Sequence, residues 1–224
     1  MSTALIIGAS RGIGHELARQ YRADGWRVIA TARKPQDIAG LAGMGCEAFA
    51  LDVTNATDCA ALAWKLDGER IDTAILNAGI YGPQTLGLDA PSEKDFDAIM
   101  HVNVLAAMRI LPIVAPCVAG VQGRLAVISS RMGSISLRAD CSGWLYRASK
   151  AALNSVLADT ALTFGPQGAV CIAFHPGWVR TDMGGAGADL AVEQSVSGIR
   201  ATLAELTAED NGQFLNYDGQ RLTW

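Results

Sequence analysis

The sequence predicts an α/β fold, a doubly wound parallel sheet of about seven strands with helices on both faces. Three observations carry this. Short runs rich in Val, Ile, Leu and Ala alternate with longer segments of helical spacing, the order that builds parallel strands joined by right-handed helical crossovers. The short runs are densely apolar rather than alternating, as suits strands covered on both faces. Gly8, Asp52, Asn77, Ser130 and Pro176 each close one of these runs, and open α/β sheets bind ligands beyond the carboxyl ends of their strands.

The elements follow in order. "TALIIG", "WRVIAT", "CEAFALD", "IDTAILNAG", "RLAVISS" and "AVCIAFHPG" read as strands, and "QFLNY" as a final one. Helix-like spacing covers 12–23, 55–67, 95–118 and 144–164, with a last helix over 189–207. No linker-like composition and no internal repeat divides the chain, so residues 1–224 are expected to form one domain.

Composition narrows the function. Half the 224 residues are hydrophobic, enough for a sizeable core. The net charge of -4 and the lack of a basic run argue against nucleic acid as a partner. Cysteines stand singly at 46, 59, 117, 141 and 171, so neither a metal site nor a disulfide framework is indicated. Such thiols suit small buried hydrophobes in a reducing compartment. "VLAAMRILPIVAPCVAGV" contains Arg109, Pro112 and Pro116 and reads as a buried or interface helix rather than a membrane span. The N-terminal apolar run is too short for a secretory signal. A cytoplasmic location is expected.

"GASRGIG" follows the first strand and opens the first helix. Gly8, Gly12 and Gly14 allow a tight turn and let a phosphate approach backbone N–H groups at a helix N-terminus. A doubly wound sheet carrying such a turn is of Rossmann type. In the NAD version of that fold an acid after the second strand bonds the ribose 2′-hydroxyl. Here that strand runs into Arg33 and Lys34, and Arg11 lies inside the glycine turn. Guanidinium groups at those two places suit a 2′-phosphate, so NADP(H) is expected over NAD(H). Two solvated surface arginines are the alternative.

"YRASK" places Tyr146 and Lys150 on one helix face. An ammonium beside a phenol lowers the phenol's pKa toward working pH, which suits a proton donor. A serine hydroxyl from "SSRMG" at 129–133 suits hydrogen bonding to a carbonyl oxygen as charge develops there.

These motifs, with "NAG" at 77–79, Asn103 and "HPGWVRTDM" at 175–183, resemble the short-chain dehydrogenase/reductase family over nearly the whole chain and in the family's order. "IGASRGIG", "YRASKAALN", "HPGWVRTDMGG" and "LNYDGQRLTW" are similar to its branch of small NADPH-dependent carbonyl reductases, which includes sniffer and C-factor. The resemblance implies hydride transfer between a nicotinamide and a carbonyl or alcohol. Tyr146 would then be the proton donor, Lys150 the ribose ligand, Ser130 the carbonyl-orienting group, and Asn103 the holder of a water in the proton relay. The turn would bind the cofactor through Gly8, Ser10, Arg11, Gly12, Ile13 and Gly14. Arg33, Asp52, Val53, Asn77, Ala78 and Gly79 would hold its adenosine half. Pro176, Gly177, Val179 and Thr181 would hold its nicotinamide end. Sixteen positions separate Ser130 from Tyr146, more than is usual in the family. Ser129 and Ser134 therefore stand as further candidates.

Plainer readings remain at several positions. Asn103 is equally a buried amide satisfying backbone groups, Asp52 a helix-entry cap, and Ser130 and Thr181 turn caps. Tyr81, Met132, Trp144, Trp178 and Met183 read as core or pocket lining, and His15, His101 and His175 as structural. "GGAGAD" at 184–189 suits either a flap over substrate or a disordered loop. The long helices at 95–118 and 144–164 are apolar enough to pair two subunits, so a homodimer or higher symmetric oligomer is expected. A cofactor-binding signalling or regulatory protein with little turnover is the rival reading.

Overall fold

The apolar runs become strands because each finds a helical layer on both sides. In the computed structural model, which describes residues 1–85 and 87–224, β1 (Thr3–Ile7), β2 (Arg27–Ala32), β3 (Glu47–Ala50), β4 (Thr73–Leu76), β5 (Arg124–Ile128), β6 (Val170–His175), β7 (Gln213–Asn216) and β8 (Arg221–Leu222) form one sheet. Its order is β3-β2-β1-β4-β5-β6-β7-β8, parallel except for β8. Successive side chains on a strand face opposite ways, and here both faces are apolar. Leu5, Ile7, Leu76, Leu125 and Val127 pack on one side, and Ala4, Ile6, Ile75, Ala126 and Phe174 on the other.

The first layer is covered by α3 (Ala56–Lys65), α5 (Ala106–Ala119) and α6 (Trp144–Phe164). The second is covered by α1 (Gly12–Ala23), α2 (Pro35–Gly43) and α7 (Val192–Glu205). The membrane-like stretch is a core helix: α5 turns Ile110, Leu111, Val114 and Val118 into the first layer.

Three features differ from the sequence expectation. The sheet has eight strands rather than about seven. Asp218 accepts from Asn216 Nδ2 and Gln220 N–H, and this Asp-Gly turn folds Arg221 and Leu222 back antiparallel onto β7. A two-residue strand is too short to show periodicity. Helix α2 was not expected. It starts at Pro35, which suits a first helical turn, but buries only Leu41 and so has no apolar stripe to read. The expected 95–118 helix is composite. α4 (Glu93–Met100) passes through a π turn (His101–Leu105) into α5, and such turns recur at functional sites. All five cysteines are free thiols, with Cys46, Cys59 and Cys171 buried and Cys141 exposed.

The strand order reverses between β1 and β4, which opens a crevice at their carboxyl ends. α1 starts hard against it. A β-carbon on Gly14 would lie 2.1 Å from the Gly8 carbonyl oxygen and 2.5 Å from Asn77 Nδ2. Asn77 Nδ2 itself donates to Gly8 O at 2.7 Å. Gly14→Ala should therefore push the helix off the strand and break that bond. The expected loss is about 1–3 kcal/mol of stability, read from urea unfolding midpoints.

Candidate active site

A cavity of about 450 Å³ occupies the crevice. Gly8, Ser10, Arg11, Gly12 and Ile13 line it from the glycine turn, and Arg33 from the end of β2. Asp52 and Val53 line it beyond β3, and Asn77, Ala78 and Gly79 beyond β4. Tyr146 and Lys150 reach it from α6, and Pro176, Thr181 and Met183 from the segment after β6. Of the remaining expected residues, Gly14, Asn103, Ser130, Gly177 and Val179 do not face the cavity directly. Gly14 sits behind the turn, and Val179 is held in a bridge to Leu190.

Among the described residues no side chain caps the N-terminus of α1, which leaves its first N–H groups open to an outside acceptor. Asp52 is not the cap of α3, a role taken by Asn55, which accepts from Thr57 and Asp58 N–H. Asp52 instead accepts from Thr54 N–H and hydroxyl at 2.9 and 2.7 Å through one oxygen. Those bonds, with Arg33 adding attraction, hold its carboxyl below the usual range. Arg11 does not stand free beside Arg33. Its guanidinium pairs with Asp182 at 2.9 Å across the mouth of the cavity.

Tyr146 and Lys150 share the buried face of α6 with Leu153 and Leu157. Tyr146 is only 7% exposed and Lys150 3%. Lys150 Nζ lies 5.7 Å from the Tyr146 ring centre and donates to the Ile128 carbonyl at 2.8 Å. The expectation that the ammonium draws the phenol downward does not hold in this structure. Burial dominates and pushes the Tyr146 phenol well above its usual range, opposed by the Ser130 hydroxyl and reinforced by Tyr81. Burial also pushes Lys150 down to about 8. Both effects favour the uncharged forms, as a low-dielectric setting does.

The serine alternatives separate by their partners. Ser129 donates to Asn154 Oδ1 at 2.5 Å. Ser134 donates to the Thr223 carbonyl at 2.8 Å. Ser130 accepts from Met132 N–H at 3.1 Å, so it does cap the turn at Arg131–Gly133. That bond uses a lone pair and leaves its own O–H, beside Tyr146, able to donate.

Asn103, in the π turn, is a buried amide whose two N–H donors are both used and whose oxygen keeps one lone pair. Its Oδ1 accepts from Ile80 N–H, and its Nδ2 donates to the Ile80 carbonyl and to Ser149 Oγ, each at 2.9 Å. Its side chain positions the segment after β4 and ties it to α6. Thr181 caps its turn, accepting from Gly184 N–H at 3.2 Å. The "GGAGAD" stretch is hydrogen-bonded to its surroundings, with Gly185 N–H on Thr181 O at 2.9 Å and Trp178 Nε1 on Gly184 O at 2.9 Å. His175 is kept neutral by burial, its pKa down to about 4.

Sequence reasoning did not single out Ser149 or Asp182. Ser149 lies one residue before Lys150 on the buried face of α6, a placement that carries a signal only once the helix face is known. Asp182 stands in "RTD" beside Thr181, but its partner is 171 positions away.

The fold and this site define an oxidoreductase of the dinucleotide-fold class. The family model for short chain dehydrogenase matches residues 2–191, and the chain belongs to that family. The C-signal protein of Myxococcus xanthus is 35% identical over 155 residues, 69% of this chain and 93% of its own. Carbonyl reductase Sniffer of D. melanogaster superposes with a TM-score of 0.92 at 26% identity, covering 100% of both chains. A carbonyl reductase from Pseudomonas aeruginosa PAO1 in complex with NADP gives 0.88 at 35% identity, again over 100% of both.

The buried lysine has a measurable consequence. Its folded pKa of about 8 lies below the model-compound value of 10.5, so folding disfavours the charged form. The penalty is full below pH 8 and relieved as pH rises toward 10.5. Lys150→Met should make nucleotide-stripped protein about 1–3 kcal/mol more stable at pH 7, allowing for the lost bond to Ile128. The gain over wild type should shrink between pH 8 and 10.5, read by denaturant titration at each pH.

Proposed function

We propose that this chain is an NADPH-dependent carbonyl reductase that interconverts an aldehyde or ketone and its alcohol, with Tyr146 as the proton donor. The observation that carries this is that Tyr146 and Lys150, both buried, line the same cavity as the glycine turn and Arg33, with the buried Ser130 hydroxyl beside the Tyr146 phenol. A dinucleotide phosphate fits the residues present. The uncapped N-terminus of α1 suits its diphosphate, and Arg33 and Arg11 suit the 2′-phosphate. Asp52 has an oxygen left for the adenine amino group, and Lys150 can bond the nicotinamide ribose.

Reduced nicotinamide supplies the hydride when bound. The residues do the rest. Ser130 donates a hydrogen bond to the carbonyl oxygen, where negative charge grows as the carbon is reduced. Tyr146 gives that oxygen its proton, which burial keeps on the phenol at neutral pH. The phenolate left behind is stabilised by the ammonium of Lys150 one turn along the helix. Asn103 and Ser149 hold the surrounding backbone. NADP-bound and carbonyl-reductase neighbours support the reading. The complete Ser130, Tyr146 and Lys150 set favours it over a signalling protein that only binds nucleotide.

The same reading includes a cytoplasmic homodimer or higher symmetric oligomer. Met108 on α5 and Leu162 on α6, 53% and 77% exposed, support pairing through those helices.

Tyr146→Phe keeps the packed ring and removes the donor. Single-turnover NADPH oxidation with a good aldehyde should slow by ~10²–10⁴-fold, while NADPH affinity in a binding titration stays near wild type. An unchanged rate in that variant would sink the assignment.

NADPH should also bind more tightly than NADH, and Arg33→Ala should narrow the difference. Equal dissociation constants for the two nucleotides in wild type would rule out the 2′-phosphate reading.

A further inference from the structure

Tyr81 is absent from the roles assigned above, yet it is held more closely to Tyr146 than a lining residue needs to be. Asn103 clasps the preceding peptide from both sides, through Ile80 N–H and C=O at 2.9 Å each. The Tyr81 ring then stacks on the Tyr146 ring, with centroids 4.6 Å apart and planes inclined by 30°, a separation at which offset aromatic pairs attract.

The hydroxyl end of Tyr81 reaches the start of the helix that carries Tyr146. Gly143 precedes α6 with φ of +60°, and a β-carbon there would lie 2.4 Å from the Tyr81 hydroxyl oxygen and 3.2 Å from Met132 Cε. Glycine meets both demands, the left-handed backbone and the space for the phenol. Two further bonds fix the same junction. Gly143 N–H donates to the Thr85 carbonyl at 2.9 Å, and Trp144 Nε1 donates to the Asp89 carbonyl at 3.0 Å. The segment that leaves β4 is thus docked on the first turn of α6, with Tyr81 as its side-chain contact to Tyr146.

We propose that Tyr81 is a positioning residue for the reduction, its stacked ring fixing the Tyr146 ring so that the phenol meets the carbonyl oxygen of a bound substrate. The inference rests on the reductase reading. Proton transfer needs the donor within about 2.6–3.2 Å of its acceptor, and the Tyr146 ring can swing about its own side-chain bonds unless a neighbour prevents it. The Lys150 ammonium lies over the Tyr146 ring at the longer distance of 5.7 Å from its centre and is held by the Ile128 carbonyl, and Ser130 bonds at the hydroxyl. Tyr81 supplies the contact across a face of the ring. Its stacking, rather than its hydroxyl, is the active feature, so phenylalanine should serve in its place and an aliphatic residue should not.

The experiment compares Tyr81→Leu and Tyr81→Phe in the full chain. With NADPH and an aldehyde, Tyr81→Leu should lose about 10- to 100-fold in single-turnover rate, the range expected for small misplacement of a reacting group. NADPH affinity and thermal midpoint should hold. The solvent deuterium isotope effect should rise, because proton delivery becomes the slow part. Tyr81→Phe should restore most of the rate. The proposal is overturned if Tyr81→Leu is as fast as wild type, or if Tyr81→Phe falls as far as Tyr81→Leu. It is also overturned if the rate loss comes with parallel losses of nucleotide affinity and thermal midpoint. Inert wild-type protein overturns the reductase reading instead. Ring-flip rates of Tyr146, measured by aromatic NMR in the same proteins, then decide the positioning claim without turnover. A ring slow to flip in wild type and Tyr81→Phe but fast in Tyr81→Leu supports it, and equal rates in all three refute it.

Discussion

Two asparagine side chains hold the segment after β4, and both halves of the cleft are built against that segment. Asn77 donates to the Gly8 carbonyl at 2.7 Å and fixes the glycine turn. Asn103 clasps the Ile80 peptide and reaches Ser149 on α6. The glycine-turn side of the cavity and the side lined by Tyr146 and Lys150 are thus positioned by one short stretch of chain, 77–80. A buried peptide without partners costs about 1–3 kcal/mol per group. Both backbone polar groups of Ile80 are satisfied by one side-chain amide, which stabilises the junction. The π turn that carries Asn103 is part of the same joint.

The joint supports a site that burial makes costly. A lysine 3% exposed makes one hydrogen bond, to a carbonyl, and no carboxylate pairs with it among the described salt bridges. Burial drives Lys150 down and Tyr146 up. A protein selected for stability alone would place apolar side chains here. Under the proposed reduction the arrangement makes sense as chemistry: the phenol would keep its proton until charge develops beside it, and the ammonium would stabilise the phenolate that results.

Much of this was legible in the sequence because it is written in local patterns. Densely apolar runs specify covered strands, and the polar or glycine residues closing them mark the cleft. The 144–164 helix matched its expected span because Tyr146, Lys150, Leu153 and Leu157 recur on one helical face. What escaped notice depends on contacts distant in sequence or on elements too short for a period. β8 has two residues, and α2 buries only Leu41. The Arg11–Asp182 pair spans 171 positions. The direction of the tyrosine shift is not legible in the sequence for a related reason. A Tyr-Lys spacing reveals that a charge is near, but not how deeply both groups are buried, and here burial is the larger effect.

The Arg11–Asp182 pair bears on how the charged rim works. Both side chains are largely exposed, 74% and 73%, and an ion pair in that setting contributes about 0–1 kcal/mol. Such a bond joins the glycine turn to the segment after β6 without locking either. A dianionic phosphate arriving at the rim offers Arg11 more charge than a single carboxylate, in the paired-acceptor geometry that a guanidinium prefers. The cost of leaving Asp182 is small because water readily solvates the exposed carboxylate. The ion pair is therefore compatible with a role for Arg11 in phosphate binding. Arg33, at the end of β2, has a different task. Its charge helps keep Asp52 ionised, so the carboxylate stays an acceptor beside the place where an adenine would lie.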